Sequence, residues 1–104
     1  MNKNLVYKIG FLMKKNNERL NPGMLSNKKF DLFISISSIR SEKSINALRD
    51  YFVHGYNRKE TSYRNGVSQS YLSLKIKECQ VLNYKLNIFY SEVEMESKYI
   101  HSNH

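Results

Sequence analysis

The sequence predicts an all-α protein, a small helical domain of four to five helices containing a helix-turn-helix. Three observations lead there. Ser26, Ser41, Asn57 and Ser68 each precede a stretch of helical character, where a side-chain oxygen can cap the first turn. The apolar residues recur three and four apart more than two apart. Residues 57–79 read as two helices around Asn65-Gly66, a pair suited to the positive φ that ends a helix abruptly.

Taken in order, residues 1–21 are basic and rich in asparagine, and are expected to form a flexible arm. Within it, Leu5–Met13 is apolar but broken by Lys8 and Gly10, so it reads as a short packing or dimerising segment. Pro22-Gly23 is a turn signal. Ser26 then caps a helix running to about Ser37, with Phe30, Phe33 and Ile34 on its buried face. The run Phe33 to Ser37 also fits a strand, but no partner strand is evident and helix is favoured. Ser41 caps a helix over about Glu42–His54, with Ile45, Leu48 and Phe52 on one side, and Gly55 at its end.

Asn57 caps the next helix, and Glu60 stands at the reciprocal capping-box position. Asn65-Gly66 closes it, Val67 wedges between the helices, and Ser68 caps a second helix from Gln69 through Leu82, at most to Leu86. Leu72, Ile76 and Cys79 share its inner face. Phe30, Phe33, Ile34, Leu48, Phe52, Val67, Leu72 and Ile76 are the expected core. Ile88-Phe89-Tyr90 is expected to pack back on that core or to serve a dimer contact. Residues 91–104 read as a polar flexible tail, so the folded domain is placed at 22–90.

The chain has 104 residues, with 17 basic and nine acidic side chains for a net charge of +8. The charge is uneven. Residues 1–30 carry seven basic residues against one acidic, and residues 57–85 carry six against two. Clustered basic charge on a helix-turn-helix favours a nucleic-acid partner. Cys79 is the sole cysteine, which excludes an internal disulfide and fits a reducing cytoplasm. His54, His101 and His104 have no ligand-spaced companions, so neither metal nor other cofactor is expected. No apolar run is long enough to span a membrane.

With these residues in place, the chain resembles the PapB family of adhesin-biosynthesis regulators. The resemblance covers roughly Leu20–Leu82. It rests on Pro22-Gly23, the run Ile36-Ser37-Ser38-Ile39 followed by Ser41, then Arg49-Asp50-Tyr51 with Val53 and Gly55, Arg58-Lys59-Glu60, and finally Tyr71 and Ser73. It implies a cytoplasmic, nucleoid-associated bacterial regulator. Such a protein binds several adjacent AT-rich sites on double-stranded DNA as a homo-oligomer, a dimer or higher, and regulates fimbrial promoters. Relatives can carry Cys where Ser62 stands, and Asn65-Gly66 is more turn-like than the family's usual residues.

The candidate DNA-binding residues are Arg58, Lys59, Gln69, Ser70, Tyr71, Ser73, Lys75 and Lys77. Lysine and arginine neutralise phosphates and release counterions. Arg58 also matches the resemblance, and a cation at a helix N-terminus is placed against the dipole, which points to function. Gln69 and Ser70 occupy the first turn of the second helix, where such proteins reach base edges. Tyr71 is open to two roles, touching the DNA backbone or packing against the preceding helix. Ser73, Lys75 and Lys77 extend the polar face. Arg64 either contacts backbone or faces water, and Lys14, Lys15, Arg19, Lys28 and Lys29 form a diffuse basic arm.

A protein-interaction adaptor that modulates another regulator is the alternative function, although it would not need Arg58, Lys59, Lys75 and Lys77 together. His54 with Glu60 or Ser62 could be drawn as a catalytic pair. Nothing supplies a third group, an oxyanion site or a phosphate loop, so an enzyme is not expected. No small-molecule ligand is evident.

Overall fold

The structure, a computed structural model, describes residues 19–102, with side chains through residue 97. It holds four helices and, among the described residues, no strand: α1 (Asn27–Ile36), α2 (Glu42–Phe52), α3 (Arg58–Asn65) and α4 (Gln69–Ser102). Leu5–Met13, Lys14 and Lys15 lie outside the described residues. Leu20–Gln80 form one compact unit, and α4 from Val81 onward belongs to a second.

All four expected caps are made. Ser26 Oγ accepts the Lys29 N–H at 3.2 Å, and Ser41 Oγ accepts that of Ser44 at 3.4 Å. Asn57 Oδ1 accepts the Glu60 N–H at 2.8 Å, and Ser68 Oγ that of Tyr71 at 3.0 Å. Each satisfies one of the orphan donors at a helix start.

The run Phe33 to Ile36 is helical, since the three-and-four spacing buries Phe30, Phe33 and Ile34 on one face of α1. Ser37 stops the helix. Its hydroxyl donates to the Ile34 carbonyl at 2.7 Å and accepts the Ile39 N–H at 3.1 Å. Arg40 Nη1 then donates to the carbonyls of Ser37 and Ile39 at 2.7 and 2.8 Å.

Helix α2 ends at Phe52, two residues short of the expected His54. The carbonyls of Tyr51 and Phe52 explain why. They accept the N–H groups of Gly23 and Leu25, each at 3.0 Å, instead of those of Gly55 and Tyr56. Residues 21–24 form a tight turn, closed by Met24 N–H to Asn21 carbonyl at 3.2 Å. Pro22 occupies its second position and Gly23, at φ 69°, its third, the arrangement of a type II turn. Gly55 also has positive φ, and a Cβ built on Gly23 would stand 3.3 Å from the Gly55 Cα. The N-terminal turn therefore replaces the last helical hydrogen bonds of α2 and is packed backbone to backbone against its exit.

The core contains seven of the eight expected residues. Val67 is only half-buried, because the turn that carries it lies at the edge of the unit. Leu20, Ile39, Ala47, Tyr51 and Cys79 complete the apolar interior. Leu20 was expected in the arm. Gln80 holds it instead, accepting the Leu20 N–H at 3.0 Å and donating to its carbonyl at 2.7 Å. Arg49 ties α2 to α1 through Asn27 Oδ1 at 2.8 Å and Asp31 Oδ1 at 2.7 Å, with its guanidinium over the Phe30 ring.

Helix α4 continues past the expected limit of Leu86, to Ser102. Ile88, Phe89 and Tyr90 belong to it rather than to a separate segment, and the backbone of residues 91–102 is helical.

Candidate nucleic-acid interface

The stretch from α3 to α4 is two helices around a three-residue turn. Gly66 takes φ 63°, ψ 35°. Its N–H donates to the Tyr63 carbonyl at 3.4 Å, and Val67 N–H donates to that of Ser62 at 3.1 Å. That pair is a Schellman motif, which satisfies the carbonyls left over at the end of α3. A Cβ on Gly66 would meet nothing within 4 Å, so glycine is required here by conformation and not by space.

Side chains of α2 brace the motif. Asp50 Oδ2 accepts Asn65 Nδ2–H at 2.9 Å and lies 3.5 Å from Arg64 Nε. The Arg64 guanidinium stacks 4.3 Å from the Tyr56 ring centroid. Arg64 is thus committed within the fold. Ser44 Oγ and Tyr71 Oη lie 2.6 Å apart, linking α2 to the first turn of α4. Tyr71 is 37% exposed, and it is joined to α2 rather than to α3.

The expected site residues separate into groups. Gln69, Ser70, Ser73 and Lys77 line one shallow, open depression on α4. Leu74 joins them, 62% exposed. It was missed because leucine reads as core, but its spacing signalled it: Ser70 and Leu74 are four apart, as are Ser73 and Lys77. Lys75 is turned elsewhere. Its Nζ lies 3.2 Å from Glu78 Oε1 and 5.6 Å from the Tyr71 ring centroid. Arg58 and Lys59 are exposed on the first turn of α3. Among the described residues, ion pairs take up Arg49, Arg64 and Lys75 but not Arg58, Lys59 or Lys77.

The chemistry available here is polar and cationic. Gln69 supplies donor and acceptor, the serines either, and the lysine a mobile charge. Ser62 is buried, and its hydroxyl donates to the Arg58 carbonyl at 2.8 Å. The His54 ring rests against Tyr56, with centroids 6.4 Å apart. Cys79 is buried, and its thiol is pushed up to about 12 by desolvation first and Glu78 second, against a smaller opposing effect of Lys75. It is poorly suited to nucleophilic work. Among the described residues no three potential ligands gather for a metal, and no helix is long and apolar enough to cross a membrane.

A small helical domain that presents a hydrogen-bonding helix face with an exposed lysine has the build of a helical transcription regulator. Comparison with known proteins makes the class specific. Residues 2–90 match the PapB family, described as adhesin biosynthesis transcription regulatory protein, and the chain belongs to that family. It is 52% identical over 68 residues to the regulatory protein FanB of Escherichia coli, covering 65% of this chain and 69% of FanB. It is 46% identical over 71 residues to the F1845 adhesin operon regulatory protein of Escherichia coli, covering 65% of this chain and 84% of that protein. The crystal structure of E. coli FocB is similar at TM-score 0.63 and 34% identity, over 74% of this chain and 88% of FocB.

Proposed function

We propose that the protein is a DNA-binding regulator of an adhesin operon, acting as an oligomer on AT-rich promoter sites without catalysing a reaction. In this reading α3 and α4 form a helix-turn-helix. Gln69, Ser70 and Ser73 meet base edges, while Arg58, Lys59 and Lys77 neutralise phosphates. Tyr71 and Lys75 shape the surface from within the fold. The cytoplasm, at the nucleoid, is the corresponding location.

The observation that carries the reading is the shared depression of Gln69, Ser70, Ser73 and Lys77 on the first turns of α4. It combines hydrogen-bonding side chains and a lysine with the exposed Leu74, next to a sharply closed turn, in a chain of net charge +8. Family membership and relatives named as adhesin operon regulators point the same way. The AT-rich preference and cooperative assembly rest on the family resemblance.

The test is a mobility-shift titration of purified protein on a labelled AT-rich adhesin promoter fragment at several salt concentrations, with a GC-rich competitor. Stepwise, salt-sensitive complexes that prefer the AT-rich fragment are expected, weakened by Arg58→Ala. Absence of binding at low salt would sink the DNA reading and favour an adaptor that works through another regulator.

A further inference from the structure

The turn between α3 and α4 is only lightly packed. Gly66 has open space around it, and Val67 is only half-buried. The inner face of α4 is held by Leu72, Ile76 and Cys79, all buried. Apolar contact is non-directional, whereas a hydrogen bond has a preferred geometry and so helps to define the pitch of the helix. Further along α4, Gln80 makes two with Leu20, at 3.0 and 2.7 Å.

Helix α2 supplies two such contacts. Asp50 holds the end of α3 through Asn65, at 2.9 Å. Ser44 holds the start of α4 through the Tyr71 hydroxyl, at 2.6 Å. The two residues are six apart on one helix, about 9 Å along its axis. Ser44 is 1% exposed, so its hydroxyl is kept in the interior by this partner. Tyr71 is flanked in turn by Lys75, which Glu78 holds from the other side. Tyr71 lies between Gln69 and Ser73, so any shift of the tyrosine moves the depression-lining residues with it.

We infer that the Ser44–Tyr71 pair is a clamp by which α2 sets the pitch of the DNA-reading face of α4, with Ser44 a buried positioning residue for that face. The inference rests on the DNA-reading role proposed above. It turns Tyr71 from a contact into a strut. It also assigns a part in recognition to a serine that never reaches the surface.

The experiment compares Kd for an AT-rich and a GC-rich duplex in the parent protein, Ser44→Ala, Tyr71→Phe and the double variant, with Tm measured for each. Ser44→Ala removes one oxygen and leaves a good helix former, so the fold is retained. Each single variant should lower the AT/GC preference roughly three- to tenfold, the range of one hydrogen bond. The double variant should lose no more than the larger single, the mark of one shared contact. Ser44→Ala should keep the parent's salt slope, because no phosphate contact is removed.

Loss of preference in Tyr71→Phe but not in Ser44→Ala would overturn the clamp and make Tyr71 a DNA contact. Unchanged preference in both variants, or additive losses, would overturn it as well. A parent protein that binds neither duplex would instead overturn the DNA reading on which the clamp depends.

Discussion

The two connections that flank α3 achieve the same thing, a sharp change of chain direction, by different means. The one before it, residues 53–57, is built from backbone. Gly23 and Leu25, at the Pro22-Gly23 turn and just after it, donate to the carbonyls of Tyr51 and Phe52, and a Cβ on Gly23 would press on the Gly55 Cα at 3.3 Å. The one after it, residues 66–68, is open. Its backbone contacts are local, the positive φ of Gly66 and the hydrogen bonds back to Tyr63 and Ser62, and side chains from α2 brace it through Asp50 and Ser44. Close backbone packing makes the first connection part of the architecture. Side-chain struts make the second adjustable by substitution, which suits a connection that, in the proposed reading, aims the DNA-facing surface of α4.

The largest expected effect lies at the first connection. Gly23→Ala forces a left-handed conformation on a side-chain-bearing residue and drives its Cβ toward the Gly55 Cα. A loss of about 2–3 kcal/mol is expected in denaturant unfolding, from strain plus steric contact. Gly66→Ala carries the strain alone, and about 1–2 kcal/mol is expected. Equal losses at the two glycines would erase the distinction between the connections. Asn57→Ala, which removes the cap where the first connection enters α3, should cost about 1 kcal/mol.

The last effect is invisible at neutral pH. Burial holds the Cys79 thiol near 12 against an ordinary 9.0. The stabilising contribution of the neutral thiol is intact below pH 9 and declines as pH rises from 9 toward 12, because the unfolded chain ionises first. Thiol-reagent labelling should accordingly track global unfolding and remain slow in the native protein at pH 8. Rapid native labelling would show that the interior behind α4 opens without the fold.

Much of this molecule is legible in its sequence because the signals are local. Ser26, Ser41, Asn57 and Ser68 each act on an N–H three residues away, and all four appear as expected. Phe30, Leu48, Phe52, Leu72 and Ile76 follow from helical spacing. What escaped is long-range. The early end of α2 is set by backbone donors at 23 and 25, nearly thirty residues upstream. Leu20 is drawn out of the arm by Gln80, sixty residues away. Lys75 looked like a neighbour of Lys77, but the helix turns about 200° between them, and Glu78 and Tyr71 hold it on another side. Ser44 gave no signal at all, since a serine in a helix says nothing about a tyrosine 27 positions on.

In the proposed reading, DNA contact is confined to the first turn of α3 and the depression on α4 rather than spread over the whole basic surface. This is tested most directly by the salt dependence of DNA binding in Lys77→Ala and Lys43→Ala, which lower the net charge equally. Both residues are exposed, but only Lys77 lines the depression. Lys77→Ala is expected to weaken binding and lower the slope of log K against log salt by about 0.9, while Lys43→Ala keeps the parent's slope. Equal changes in the two variants would contradict it and make the attraction diffuse.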